Sequence, residues 1–264
     1  MQITQADYTA QVKFGGAQDV SGGGHFSGRL TAPLVFAGAV AKQALAQYGI
    51  VVGSHILQIN DIKEERFNPM GVSDKALAEL HAKKFAVMDD AVGAKMQECI
   101  LQAKSELNSV GGVIEAIALH LPAGIGAPYF DSVESMLSHA LFSVPAVKGV
   151  EFGDGFGFAG LTGAEANDAL HYVDGKVQAL TNHNGGVNGG ITNGMPLVVR
   201  VAVKPTPSIA REQQTVSLKE QADTTLAIVG RHDSCIVQRA VPVIEAVVAW
   251  TLWDLLLEAK KWEK

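Results

Sequence analysis

Apolar residues along this chain follow two rhythms, and the places where one gives way to the other mark its elements. The first long run, TAPLVFAGAVAKQALAQYG (31–49), is apolar on nearly every side. Thr31 can cap it, Pro33 sits in its first turn and Gly49 stops it, which predicts a helix buried on most faces. IVVGSHILQI (50–59) is β-branched and reads as a strand, and Ser73 suits the cap of a helix over SDKALAELHAKK. MDDAVGAKMQECILQAKSEL (88–107) is amphipathic, with acids early and Lys104 late, as the helix dipole prefers. GGVIEAIALHLP (111–122) predicts a strand ended by Pro122, and Asp131, three residues before Glu134, has capping-box spacing for the next helix. VKGVEFG (147–153) is a short strand, and Asp174-Gly175 in HYVDGKVQAL is a hairpin signal. Alternation in MPLVVRVAVK puts Leu197, Val199, Val201 and Val203 on one face and Val198, Arg200, Ala202 and Lys204 on the other. TVSLKE and TTLAIVG (215–230) add two strands, and VPVIEAVVAWTLWDLLLEAKKWEK closes the chain as a long helix. Four to five helices, outnumbered by strands without regular alternation, predict an α+β fold with antiparallel sheets. No low-complexity linker divides the chain, so residues 1–264 read as one domain. One weak echo is visible: a glycine-and-basic turn precedes an apolar helix at 22–48 and again at 230–258.

Composition narrows the function. With 264 residues, 47% hydrophobic and 18% charged, the chain can bury a sizeable core. A formal charge of -6 with thinly spread Lys and Arg argues against nucleic acid and against an anionic membrane surface. Cys99 and Cys235 have no metal-ligand spacing and no disulfide framework, which points to a reducing compartment and to no metal. No signal segment is evident, and no apolar run is read as reaching the roughly 18 to 20 residues of a membrane span, so a cytoplasmic location is expected.

Three segments could carry chemistry. In NHNGGVNGGITNGMPLVVRVAVKPTPS (182–208), glycines including Gly189 let main chain approach a flat or charged ligand, and Pro205 and Pro207 stiffen a turn that presents Lys204, Thr206 and Ser208. A mobile hairpin loop with a strand-end lysine is the equal alternative. In SGGGHFSGRLTAP, Ser27 and Arg29 stand just ahead of a helix, where an anion could be gripped, although a flexible capping turn has the same composition. It is neither a Walker A loop nor a dinucleotide fingerprint. In GRHDSC (230–235), extended geometry would aim Arg231 and Asp233 the same way, as a proton acceptor beside a cation or as a surface ion pair.

Taken together and in this order, GGGHFSGR, NGGVNGGITNG with KPTPSI, and GRHDSC resemble the chorismate synthase family. The stretch SVGGVIEAIALHLPAGIGAPYFDSVESMLSHALFSVPAVKGVEFGDGF is similar to that family as well, so the resemblance runs from about Ala6 to the final helix. It implies a β-α-β sandwich with central helices flanked by antiparallel sheets, and an anti-1,4 elimination of phosphate from 5-enolpyruvylshikimate 3-phosphate to give chorismate. It implies reduced FMN as cofactor, NADPH as a candidate source of reduction, and a homotetramer. By position, His25, Phe26, Ser27, Glu165, Ala166, Gly189, Lys204, Pro205, Thr206, Pro207, Ser208 and Arg231 match flavin contacts. Arg29, Arg231 and Ser27 match substrate contacts, and Asp233 matches the aspartate of proton transfer.

Two departures stand out. Many members carry Arg-Ser-Ser where this chain has His25-Phe26-Ser27, and members carry GESHG and RPGHAD segments whose histidines do acid-base work. Neither segment is present here, so the chain reads as truncated at its N-terminus, and in isolation it is expected to be nearly inactive, at about 10²- to 10⁴-fold per lost group. Two functions follow: chorismate synthase completed by a longer frame or another chain, or a non-catalytic remnant that binds flavin or phosphate, or only oligomerises.

Overall fold

The computed structural model describes residues 5–19, 21–228, 230 and 233–260. Arg231 and His232 therefore lie outside the described residues. In chain order the elements are α1 (Gln5–Phe14), α2 (Ala32–Ala46), β1 (Val51–Ile59), β2 (Ile62–Lys63), α3 (Asp74–Ala82), α4 (Asp90–Ser105), β3 (Gly112–Leu119), α5 (Val133–Phe142) and β4 (Val147–Phe152). The hairpins β5–β6 (Leu170–Val173, Lys176–Ala179) and β7–β8 (Val187–Asn188, Ile191–Thr192) follow. Then come β9 (Leu197–Val203), β10 (Gln213–Ser217), β11 (Ala222–Leu226) and α6 (Val237–Lys260).

Five strands form the main sheet in the order β2, β1, β3, β9, β4, with every neighbouring pair antiparallel. The α+β expectation holds. Alternation decides which side chains go where: Ile56, Ile114, Ala116, Leu197, Val199, Val201 and Val203 join a core with α5 and α6. On the opposite face Ile117, Leu119 and Val198 meet Phe67 and the α3 residues Leu77 and Leu80. Beyond this sheet the described strands form three two-stranded ribbons.

The two apolar helices pack side by side. Gly38 of α2 leaves no room for a Cβ against Ala246 of α6, and the Tyr48 ring lies tilted against Trp253 with centroids 5.8 Å apart. Contacts advance together along both helices, so they run parallel, and their N-termini share one end. The weak sequence echo thus corresponds to two parallel neighbours. Gly38→Leu is expected to cost about 3 kcal/mol by overpacking this crossing; an unchanged urea midpoint would show that the helices can move apart freely.

Three local expectations need correction. α2 buries only Gly38, Ala41 and Leu45, while Phe36 is 75% and Val40 54% exposed. Its outward face has no second layer among the described residues, because α6 and the sheet cover one side of it only. Thr31 stands at the cap position of α2 but donates its hydroxyl to Gly28 O at 2.6 Å instead of accepting from the helix. The cap of α5 is Ser132 and not Asp131: its Oγ accepts from Ser135 N at 3.0 Å, since a turn at Tyr129–Asp131 places the helix start one residue later. The expectation that no run is of membrane-span length also gives way. α6 is long and apolar enough to cross a membrane, yet 67% of its most apolar window is buried inside the protein, as in a core helix.

Candidate functional site

Strand β9 connects two ends of the molecule, and the candidate residues divide between them. At its C-terminal end Lys204 N donates to Ala146 O at 2.9 Å, which turns the chain into the Pro205–Pro207 segment. Gly111 lies beneath this turn: a Cβ there would press on Val203 O and come within 2.9 Å of Pro205 Cδ. Its neighbours act as a hub. Ser109 Oγ donates to Thr206 O at 2.7 Å, and Val110 N donates to Ser234 O at 2.8 Å. Sequence distance is therefore collapsed by one short loop, which ties the proline turn to the residue after Asp233. Asp233 itself accepts from Arg239 Nη1 at 3.0 Å in a largely exposed pair.

The same end holds the start of α2, because α2 and α6 are parallel and Ser234 precedes α6. There Ser27 Oγ accepts from Arg29 N at 3.3 Å and from Arg29 Nε at 3.1 Å, fixing the turn that carries His25 and Phe26. Arg29 and Phe26 are exposed. The Lys204–Ser208 turn is tied to Ser234 through Ser109 and Val110, and the His25–Arg29 turn precedes α2 at the end where the parallel helices α2 and α6 begin, whose partial positive charges favour an anion.

Two features of this end suit a cofactor. The Thr206 hydroxyl is buried and has no hydrogen-bond partner among the described residues. Such a group is costly unless something fills its valence. Lys204 enters no ion pair among the described residues.

Glu165, Ala166 and Gly189 are not brought to this end within one chain. Gly189, at φ 61°, forms the turn between β7 and β8 and faces open space. The loop it belongs to packs on the start of β9, where Val198 N donates to Gly185 O at 3.2 Å. Six residue steps along β9 separate Val198 from Lys204, about 20 Å at the usual rise. Glu165 sits in an exposed turn, where the Thr162 backbone N–H and then its hydroxyl hold the carboxyl below its ordinary range. Nearby Asp168 binds the same loop, accepting from His183 N at 2.8 Å and Asn184 N at 3.0 Å. Burial would raise the Asp168 carboxyl, but these donors, led by the Asn184 side chain, hold it low.

Sequence reading missed a buried ionic chain on the α3 face of the sheet. His55 Nδ1 meets Glu64 Oε1, and its Nε2 lies 3.1 Å from Glu115 Oε2. Glu115 pairs with Arg200 Nη1 at 3.3 Å, and Arg200 Nε pairs with Glu151 at 2.7 Å while Nη2 grips Gly153 O. Arg200 and Lys204 share a face in sequence, but Arg200 is spent on these partners. The signal was present: His55, Glu115 and Arg200 are each a lone charge inside an apolar strand. Register makes them neighbours, with Glu115 opposite both His55 and Arg200. Burial alone would depress the His55 imidazolium; the hydrogen bonds of Glu115 and Glu64 outweigh it and raise its pKa.

Comparison with known proteins identifies the family. A chorismate synthase family model matches residues 3–257. Chorismate synthase of Thermococcus gammatolerans is 48% identical over 259 residues, 98% of this chain and 70% of the relative. That of Korarchaeum cryptofilum is 43% identical, with 97% of this chain and 70% of the relative covered. A crystal structure of chorismate synthase superposes with a TM-score of 0.79 at 29% identity, covering 96% of this chain and 70% of that one. A family model spanning nearly every residue, relatives above 40% identity and a shared fold lead to one conclusion: the chain belongs to the chorismate synthase family.

Proposed function

We propose that this chain acts as a chorismate synthase, eliminating phosphate and a ring proton from 5-enolpyruvylshikimate 3-phosphate. The observation that carries the reading is the near full-length match to the family at up to 48% identity. It favours the enzyme over a non-catalytic remnant. In this reading Lys204, Thr206, Arg29 and Asp233 supply what such a reaction needs.

The chemistry that reduced FMN supplies when bound is electron density for cleavage of the C3–O bond, returned without net redox change. The residues present fit that cofactor. Among the described residues Lys204 enters no ion pair and the Thr206 hydroxyl has no hydrogen-bond partner, and Pro205 and Pro207 limit the motion of the turn that carries Ser208. His25, Phe26 and Ser27 supply a second turn, just ahead of α2. Arg29, with Arg231, binds the doubly charged phosphate ester, where a guanidinium fork matches phosphate oxygens. Asp233, held by Arg239, takes part in moving the ring proton. Glu165, Ala166 and Gly189 reach the same cofactor only from a second copy of the chain, since one chain separates them from Lys204 by the length of β9. A homo-oligomer, with four copies in the family pattern, accommodates this. A cytoplasmic location and NADPH as the source of reduction belong to the same reading.

Titrating the chain and its Lys204→Ala variant with reduced FMN under anaerobic conditions tests the cofactor end. Loss of a charged hydrogen-bond donor is expected to weaken binding about tenfold or more. Equal affinity of the two proteins would remove Lys204 from the site.

A further inference from the structure

We propose that Arg200 is a positioning residue for the Asn182–Gly190 loop, and that the proton on His55, one carboxylate away along a buried chain of ion pairs, sets how firmly the loop is held. This goes beyond the enzymatic reading, because it concerns loop rigidity and requires no cofactor.

The chain of contacts is closed to water over most of its length. Side chains of Glu64, His55, Glu115 and Arg200 are at most 3% exposed, and only Glu151, at 27%, reaches the surface. Their formal charges come to three carboxylates, one guanidinium and one imidazole. With His55 protonated the group carries a net -1; without that proton it carries -2 in a setting where charge is poorly screened. Everything packed on His55 bears on this. Glu64 comes from the segment after β2 and Glu115 from β3, while the Phe67 ring lies 4.2 Å away. Met88 N and Asp89 N donate to Glu64 at 3.0 and 3.1 Å, and Arg200 stands beyond Glu115. The raised His55 pKa shows that the folded state holds this proton more firmly than a free imidazole would.

Two routes lead from the array to the loop. Arg200 Nη2 holds Gly153 O, and Gly153 packs so closely on the loop that a Cβ there would clash with His183 O and the Gly185 amide. The next residue continues the contact, with Asp154 N donating to His183 O at 2.7 Å. Along the second route Phe67 N donates to Glu115 at 2.6 Å, and Pro69 O, two residues on, accepts from Asn182 Nδ2 at 2.7 Å. The loop needs such anchors, because Gly185, Gly186, Gly189 and Gly190 all sit at positive φ. Losing the His55 proton leaves Glu64 and Glu115 repelling each other across a neutral ring. Relief comes by drawing Arg200 towards Glu115, away from Gly153, and by loosening the segment that carries Phe67 and Pro69.

The sign follows from the raised pKa. Tight anchoring is present below the ordinary histidine range and is lost as pH rises through the higher value of the folded state. His183, within the loop and paired with Asp154 at 2.6 Å, is a second imidazole and needs its own control.

Amide hydrogen exchange of the intact chain, corrected for the intrinsic base-catalysed rate, reads the effect directly. In the unmodified protein, protection of Asp154, Gly186 and Val198 is expected to fall about tenfold as pH is raised past the histidine range, as for loss of one charged hydrogen bond. Amides of Ile114 and Ile117 in the sheet centre should keep theirs. His55→Gln should make the loop weakly protected at every pH, whereas His183→Gln should retain the fall. Arg200→Lys, which keeps the charge but not the fork, should loosen the loop throughout and serves where His55→Gln fails to fold. Loop protection independent of pH in the unmodified protein overturns the proposal. So does a fall that persists in His55→Gln or vanishes in His183→Gln, and so does full protection in Arg200→Lys. Because no flavin is present, failure of the loop to contact a cofactor would leave these results untouched.

Discussion

Arg200→Met is expected to destabilise the protein by about 3–5 kcal/mol, the range for breaking a buried ion pair from one side. The size comes from what remains, not from what is lost. Glu115, fully buried, would keep His55 as its one cationic neighbour, which Glu64 also claims. Gly153 O would lose its donor, and Glu151, whose carboxyl burial would raise but Arg200 holds low, would rise towards the ordinary range. Methionine fills similar volume, so a packing defect contributes little. Urea unfolding followed by circular dichroism measures the loss. A change under about 1 kcal/mol would mean that the array contributes no more than a surface pair does.

Asp233→Asn is expected to lower turnover about 10²- to 10⁴-fold, the range for removing a general acid-base group. The side chain keeps its shape and can still meet Arg239, so binding should change far less than rate. Anaerobic conversion of 5-enolpyruvylshikimate 3-phosphate with reduced FMN, measured side by side for the chain completed by a longer frame or another chain and for its variant, gives the ratio. Equal rates would take Asp233 out of proton transfer and leave it as the Arg239 partner only. A raised KM with unchanged kcat would instead make it a binding residue.

The two substitutions lie at different depths of legibility. Asp233 could be singled out from the GRHDSC segment and a family resemblance, because catalytic segments are short and keep their local order. Its link to the proline turn could not, since that depends on Val110 and Ser109 reaching Ser234 and Thr206 across a fold that no periodicity describes. Arg200 was legible as sharing a strand face with Lys204, but its partners were not. Cross-strand neighbours, Glu115 and Glu151, captured one of the two cations and left the other. In the same way α2 looked wholly buried because hydrophobicity says what prefers burial and not what is available to cover it. The Asp131 cap lost to Ser132 because both residues can cap, and a turn at Tyr129 chose between them.

Local pattern alone determined the α+β class, the run of β9 and its two faces, the Asp174-Gly175 hairpin and the long closing helix, because side-chain period and turn chemistry act over a few residues. Only the tertiary structure decided that α2 and α6 are parallel, that Lys204 and Gly189 stand at opposite ends of one strand, and that His55, Glu115 and Arg200 form one buried chain. Each of these depends on register and crossing geometry between segments far apart in sequence, and a one-residue slip in the pairing of β1, β3 or β9 would be enough to break the buried chain.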